Sequence, residues 1–286
     1  MPPLFALHHE TRYRYDRAVL LGPHTLRLCP AGQGSQALTG YTLAVSPTPA
    51  HLHWHEDAFG TRVARVVFAE RTAELCVTMR ATIDWHPENP LNFLLEPAVA
   101  DWPARYDPRL TALLAPFLAV AAHSPLLNDF LDEIRSGPAT TVAFLAHVAT
   151  RLRERVRYTT RTAPGIQSCD QTLTCGSGSC RDSAWLLIQV LRALGVPARF
   201  VSGYLMEWNG HTDTNGATLA LHAWAEAFLP GAGWVGLDPT SGLFAAGGHL
   251  PLARAPDPAW TAPITGTAEA DPIDWSFVQT MQPLPS

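Results

Sequence analysis

A chain of 286 residues, 47% of them apolar and only 16% charged, has core-forming material for one large domain or two smaller ones and is no disordered segment. With 20 Lys and Arg against 25 Asp and Glu, its net charge of -5 offers nothing that would hold a nucleic-acid backbone. Five cysteines at positions 29, 76, 169, 175 and 180 are too few and too irregular for a disulfide scaffold.

The first 85 or so residues read as short strands. "HETRYRYD", "HTLRLCP", "YTLAVSP", "HLHWHED", "TRVARVVFAE" and "LCVTMRATIDW" alternate in part and are separated by turn-like "SPTPA" and "DAFG". The proline-rich "HPENPLNFLLEPAVADWPARYDP" reads as a linker. Helical patterns follow at Leu110–Ala121, Pro125–Ile134 and Thr140–Val156, the last with Val142, Leu145, Val148 and Leu152 at helical spacing. "YTTRTAPGIQSCDQTLTCGSGS" is expected as a long loop, a length that calls for a functional reason. A helix over 180–194 places Ala184, Leu187, Ile188, Leu191 and Leu194 on one face and stops at Gly195. Strands are expected at "PARFVSGYLME", "LHAWAEAFLP" and "GWVGLDP", and the Gly/Pro/Ala-rich remainder after Thr240 is expected to wrap the surface.

Cys180 starts the 180–194 helix. A thiol there faces unpaired backbone N–H groups and the positive end of the helix dipole, which favour the thiolate. Gly176 and Gly178 allow close backbone approach and leave donors open to a substrate oxygen. A nucleophilic cysteine needs a base, and the base needs an orienter. His222 shares a strand face with Trp224, Glu226 and Phe228, and Asp238 ends the next strand. "LPGAG" is short enough to join the two as a hairpin that sets His222 beside Asp238. Singly, each residue has a structural reading: a buried thiol, a half-buried histidine, a turn residue before proline. The order of the three together favours chemistry. The cysteine spacings match neither a zinc knuckle nor C-x-x-C redox chemistry. "GSGS" lacks the lysine of a phosphate loop, and no calcium loop is present.

"GSGSCRDSAWLLIQVLRALGVPARFVSGYL", "LHAWAEAFLPGAGWVGLDPTSGL" and "GGHLPLA" resemble the core of bacterial transglutaminase-like proteins of the papain-like cysteine enzyme superfamily, and "HETRYRYD", "HTLRLCP" and "DAFG" resemble the β-rich domain that precedes that core. The resemblance covers the chain to about residue 265 and departs from the family pattern in the cysteines at 169 and 175. It implies an α+β fold: a β-rich domain over 1–88, a linker and helical segment over 89–139, a catalytic core over 140–265 with its nucleophile helix packed on an antiparallel sheet, and a tail over 266–286. It further implies Cys180 as nucleophile, His222 as general acid and base, and Asp238 as orienter.

The expected reaction is acyl transfer at peptide or glutamine-type amide bonds through a thioester, on a protein or peptide substrate with a primary amine as co-substrate. The alternatives are hydrolysis by the same three residues, as a protease, amidase or isopeptidase, and a silent protein-binding module. Gln167, Gln171 and Tyr204 are candidates for the oxyanion hole or the cleft wall. Asp182 is a candidate cap at the helix start, and His211 lies in a polar loop expected to flank the cleft. No cofactor, metal, nucleic-acid or membrane partner is expected. The opening "MPPLFALHHETRYRYD" lacks the basic and apolar regions of a secretion signal, so a cytoplasmic location is expected.

Overall fold

The computed structural model describes residues 4–32, 36–86, 89–121, 123–209 and 216–284. The fold is α+β: a β-rich half followed by a core of helices on an antiparallel sheet. The β-rich half begins with β1 (Leu4–Leu20), β2 (His24–Leu26), β3 (Gln36–Ser46), β4 (His51–Glu56), β5 (Arg62–Val67) and β6 (Arg71–Trp85). Period-two alternation decides which side faces in: Phe5, Leu7, His9 and Thr11 are buried along β1, and Val77, Met79, Ala81 and Ile83 along β6. The segment after it holds the short helices α1 (Pro97–Ala100), α2 (Pro108–Leu113) and α3 (Ala115–Leu118).

In the second half, α4 (Pro125–Ile134) and α5 (Thr141–Arg155) lead to β7 (Arg157–Tyr158), α6 (Cys169–Cys175), β8 (Ser177–Gly178) and α7 (Cys180–Ala193). The long loop expected before Cys180 therefore contains a helix. Ser168 caps it, accepting from the N–H of Gln171 at 3.1 Å, while the Gln171 side chain accepts from the N–H of Ser168 at 2.9 Å. This reciprocal box starts a seven-residue helix whose apolar periodicity is too short to read. The chain then forms β9 (Ala198–Trp208), β10 (Ala217–Leu229), β11 (Gly233–Asp238), β12 (Leu243–Phe244) and β13 (His249–Ala255). These five strands make one sheet in the order β12-β11-β10-β9-β13. Ala184, Leu187, Ile188 and Leu191 of α7 pack on Ala223, Ala225 and Ala227 of β10, where small residues let the helix sit close.

The same sheet serves a second core. Tyr204 and Met206 of β9, Leu219 of β10, and Leu250 and Leu252 of β13 bury against Phe5, Leu7 and Met79 of the β-rich half. The end of the chain also returns there. β14 (Ile264–Thr265) pairs with β2, and β15 (Asp274–Pro283) runs antiparallel to β1 from Phe5↔Pro283 to Arg14↔Asp274. The segment expected as a surface tail is thus an edge strand. Met281 is its one fully buried hydrophobic side chain, which is why its sequence carries so little strand signal. Gln279 Oε1 accepts from the N–H of Leu221 at 2.8 Å, so this strand braces β10 beside His222. Among the described residues, no helix is long and apolar enough to cross a membrane.

Candidate active site

Cys180 is the first residue of α7, where backbone N–H groups have no partner within the helix. Its side chain is half-buried against the helical core. What fixes this helix start is Asp182, which is fully buried. Its Oδ2 accepts from the Ser179 N–H at 2.8 Å, the Ser179 hydroxyl at 2.7 Å and Arg161 Nε at 3.0 Å. Its Oδ1 accepts from the Gln167 N–H at 2.8 Å and Arg161 Nη2 at 2.9 Å. Burial alone would raise this carboxyl, but the bonds from Arg161, Gln167 and Ser179 outweigh it and lower it to about 2. One side chain therefore ties the 161–167 loop to the cap of α7.

The glycines before Cys180 are explained by this packing. A Cβ on Gly178 would stand 2.9 Å from Asp182 Cβ and 3.2 Å from Gln167 Oε1. Gly176 has φ 56°, the left-handed conformation that ends α6. Gly178 O accepts from the Thr159 N–H at 2.9 Å within the short β7–β8 pairing.

The expected β10–β11 hairpin forms, with Glu226 opposite Gly236 and Phe228 opposite Trp234. It brings His222 Nε2 to 3.0 Å from Asp238 Oδ2. The other carboxylate oxygen, Oδ1, accepts from the N–H and the hydroxyl of Thr240 at 2.8 and 2.7 Å, which fixes the carboxylate plane. Burial would lower His222, but its bonds to Asp238 and to the Cys180 thiol, and the charges of both groups, raise it to about 9. With Nε2 on Asp238, Nδ1 is the nitrogen left for Cys180. Burial would raise Asp238, and hydrogen bonds from His222, His249 and Thr240 hold it well below the usual carboxylate range.

His249, at the start of β13, is the residue that the sequence did not single out. Its Nε2 lies 3.2 Å from the same Asp238 Oδ2, and its ring meets Trp224 edge-on at 5.0 Å. Its signal was the "GGHLPLA" segment, which entered only as part of a resemblance. A cavity of about 350 Å³ opens beside His249 and Trp224, with Gln36 of β3 and Asn92 and Phe93 of the linking segment in its wall.

The other candidates divide. Gln167 stands next to Gly178 and accepts from the Thr172 hydroxyl at 3.2 Å through Oε1, which leaves its amide N–H groups as the donating end. Gln171 is not at the site, because its side chain is spent in the cap of α6. Tyr204 is not in the cleft either. It pairs with Leu221 across the β9–β10 ladder, one position along from the Gly203–His222 pair, and therefore points to the opposite face. There it is fully buried, 2.7 Å from His9 Nδ1. His211 lies outside the described residues. All five cysteines are free thiols; burial first, with the nearby Asp170 charge, pushes Cys169 up to about 11, and Cys175 is exposed.

Comparison with known proteins follows this division into two halves. The profile of the bacterial transglutaminase-like N-terminal region matches residues 5–84, and that of the transglutaminase-like superfamily matches residues 128–239. The chain belongs to the transglutaminase-like superfamily. It is 26% identical over 272 residues to Rv2569c, an uncharacterised protein of Mycobacterium tuberculosis, spanning 92% of this chain and 86% of that one. It is 34% identical over 125 residues to a protein-glutamine gamma-glutamyltransferase of Pseudomonas aeruginosa, spanning 41% of this chain and 18% of that enzyme. The crystal structure of a candidate cysteine protease from Cytophaga hutchinsonii shares the fold, with a TM-score of 0.72 at 21% identity over 99% of this chain and 91% of that one.

The expected cytoplasmic location is corrected. The structures similar to this chain include the periplasmic domain of TgpA from Pseudomonas aeruginosa, at a TM-score of 0.40 over 81% of this chain and 87% of that one. The composition of the first residues does not assign a compartment.

Proposed function

We propose that this chain is a cysteine-dependent acyl-transfer enzyme acting on peptide or glutamine-type amide bonds. The observation that carries the reading is His222, bonded through Nε2 to Asp238 and in contact with the Cys180 thiol, on a helix start locked by Asp182. In this reading the Cys180 thiolate attacks the carbonyl carbon of the amide. The carbonyl oxygen takes the negative charge, facing the Cys180 N–H and the Gln167 amide. The C–N bond then breaks as His222 gives its proton to the leaving nitrogen, and a thioester remains on Cys180. A primary amine, deprotonated by His222, attacks the thioester, releases the thiolate and leaves a new amide. Asp238 stays ionised throughout and holds the ring. The cavity beside His249 gives the chain flanking the reacting bond a place to lie.

Transfer rather than hydrolysis is supported by the likeness to the Pseudomonas aeruginosa glutamyltransferase, at 34% identity over 125 residues. Reduced protein incubated with glutamine-containing peptides and a labelled primary amine is expected to give amine-modified peptide. Mass spectrometry reads the products, and Cys180→Ala is expected to give none. Shortened peptides, or peptides whose glutamine has become glutamate, in place of the adduct would replace transfer with hydrolysis. Product formed equally by Cys180→Ala would overturn the reading altogether.

A further inference from the structure

We propose that Asp238, His222 and His249 form a binding site for one divalent transition-metal ion of the zinc type, and that the ion, once bound, shuts the centre down. His222 Nε2 and His249 Nε2 approach the same oxygen, Asp238 Oδ2, at 3.0 and 3.2 Å, and the three ligand atoms all lie within 4.8 Å of one another. A zinc-type ion holding nitrogen and oxygen ligands tetrahedrally at about 2.0–2.2 Å spaces neighbouring ligand atoms roughly 3.3–3.6 Å apart. The two nitrogen–oxygen separations lie within a few tenths of an ångström of that span.

The surroundings are those of a ligand set. Thr240 holds Asp238 Oδ1 from two donors, which leaves Oδ2 as the oxygen that faces the histidines. His249 Nδ1 faces the carbonyl of Ala246 at 3.3 Å. Both ring nitrogens of His249 thus face oxygen acceptors. Only an imidazolium satisfies both, or a neutral ring that donates through Nδ1 and binds a cation through Nε2. The second arrangement is the one by which carbonyls orient metal-binding histidines. The side chains of His222, Asp238 and His249 are 8%, 3% and 11% exposed, so a bound ion would sit largely out of water. Two imidazoles and one carboxylate suit zinc or copper and do not suit calcium, which requires six or more oxygens. The set is invisible to cysteine spacing because it joins three strands, β10, β11 and β13.

Binding breaks no covalent bond other than N–H: the ion displaces the Nε2 protons to solvent, and nothing is oxidised or reduced. A metal on His222 Nε2 removes the ring's bond to Asp238 and its capacity to carry positive charge beside Cys180. The binding rests on geometry alone; the inhibitory consequence rests on the acyl-transfer reading.

Calorimetric titration of the full chain with Zn2+ tests it. A His53→Ala background keeps the exposed row His51, His53 and His55 out of the count. One saturable site is expected, retained in Cys180→Ala and weakened at least tenfold in both His249→Ala and His249→Gln, with circular dichroism confirming that the variants fold. Excess Ca2+ is expected not to compete. Absence of a saturable site, or unchanged affinity in either folded His249 variant, overturns the metal site. In protein with Cys180 intact, Zn2+ is expected to slow alkylation of Cys180 at least tenfold, reversed by a chelator. One-to-one binding without that slowing overturns the inhibitory role. Product formation in metal-free protein tests the acyl-transfer reading separately.

Discussion

Arg161 lies along the fully buried carboxylate of Asp182, with Nε and Nη2 at 3.0 and 2.9 Å from its two oxygens. The fork also reaches the carbonyls of Ala163 and Gly165, so one guanidinium closes the loop that carries Gln167. Arg161→Ala leaves the carboxylate with its Ser179 and Gln167 donors and takes away the charged partner. The expected loss is about 1.5–3 kcal/mol, the range for hydrogen bonds to charged groups. Arg161→Lys is expected to recover only part of it, since an ammonium cannot span both oxygens. Urea unfolding of the two variants reads the difference; equal stability of wild type and Arg161→Ala would remove Arg161 from this role.

The same carboxylate sets an acid limit on the fold. Asp182 is lowered from the ordinary 3.8 to about 2 by the bonds from Arg161, Gln167 and Ser179, against the effect of burial. A depressed carboxyl contributes stability above its unfolded value and loses it as pH falls through its folded value. The window is therefore about pH 4 down to pH 2, and the contribution is about 2 kcal/mol. Asp182→Asn is expected to be less stable than wild type at neutral pH and to approach it towards pH 2. Melting temperatures taken across that interval check it, and parallel curves would count against it.

Tyr204 and His9 join the two halves rather than serving the site. The Tyr204 hydroxyl and His9 Nδ1 are 2.7 Å apart in a buried interface, and His9 Nε2 is taken by the Thr11 hydroxyl at 2.7 Å. Tyr204→Phe strands one nitrogen of a buried ring, at a cost of about 1–3 kcal/mol. The expected result is a lower unfolding midpoint with no change in the alkylation rate of folded Cys180. A large fall in that rate without loss of stability would return Tyr204 to the cleft.

The relation of His222 to Asp238 was legible because strand parity and a short hairpin are local rules, and the face of α7 was legible because its apolar spacing runs for four turns. Tyr204 shows where parity stops. It separates the two faces of a strand but does not reveal that the far end of β9 is covered by the β-rich half. His249 was hidden because β13 carries Pro251 and follows a Gly/Ala-rich stretch, so neither alternation nor flanking turns mark it as a strand. The partnership of Arg161 with Asp182 crosses 21 residues of loop and helix, and only the folded chain brings them together.

The contact between His222 and Cys180 makes the thiol's reactivity a function of the histidine's proton. Burial lowers His222, and the bonds and charges of Asp238 and Cys180 raise it to about 9. A histidine raised in this way keeps its charged form, and the stability that form contributes, below the ordinary 6.5, and loses it as pH rises through about 9. Below that limit the ring holds its proton beside the sulfur, and an imidazolium in such a place stabilises negative charge on a thiol. Alkylation of Cys180 by iodoacetamide is therefore expected to stay fast from about pH 6 to pH 8, where an unassisted thiol of ordinary pKa about 8.5 would slow tenfold for each unit of acidification. Asp238→Asn removes the charge that holds the ring and is expected to reduce the rate at pH 7 by at least tenfold, restoring the steep slope of a free thiol. Peptide mapping assigns the label to Cys180 rather than to exposed Cys175. A wild-type profile with the slope of a free thiol would show that His222 does not hold its proton beside Cys180, and would withdraw the ion pair from the proposed chemistry.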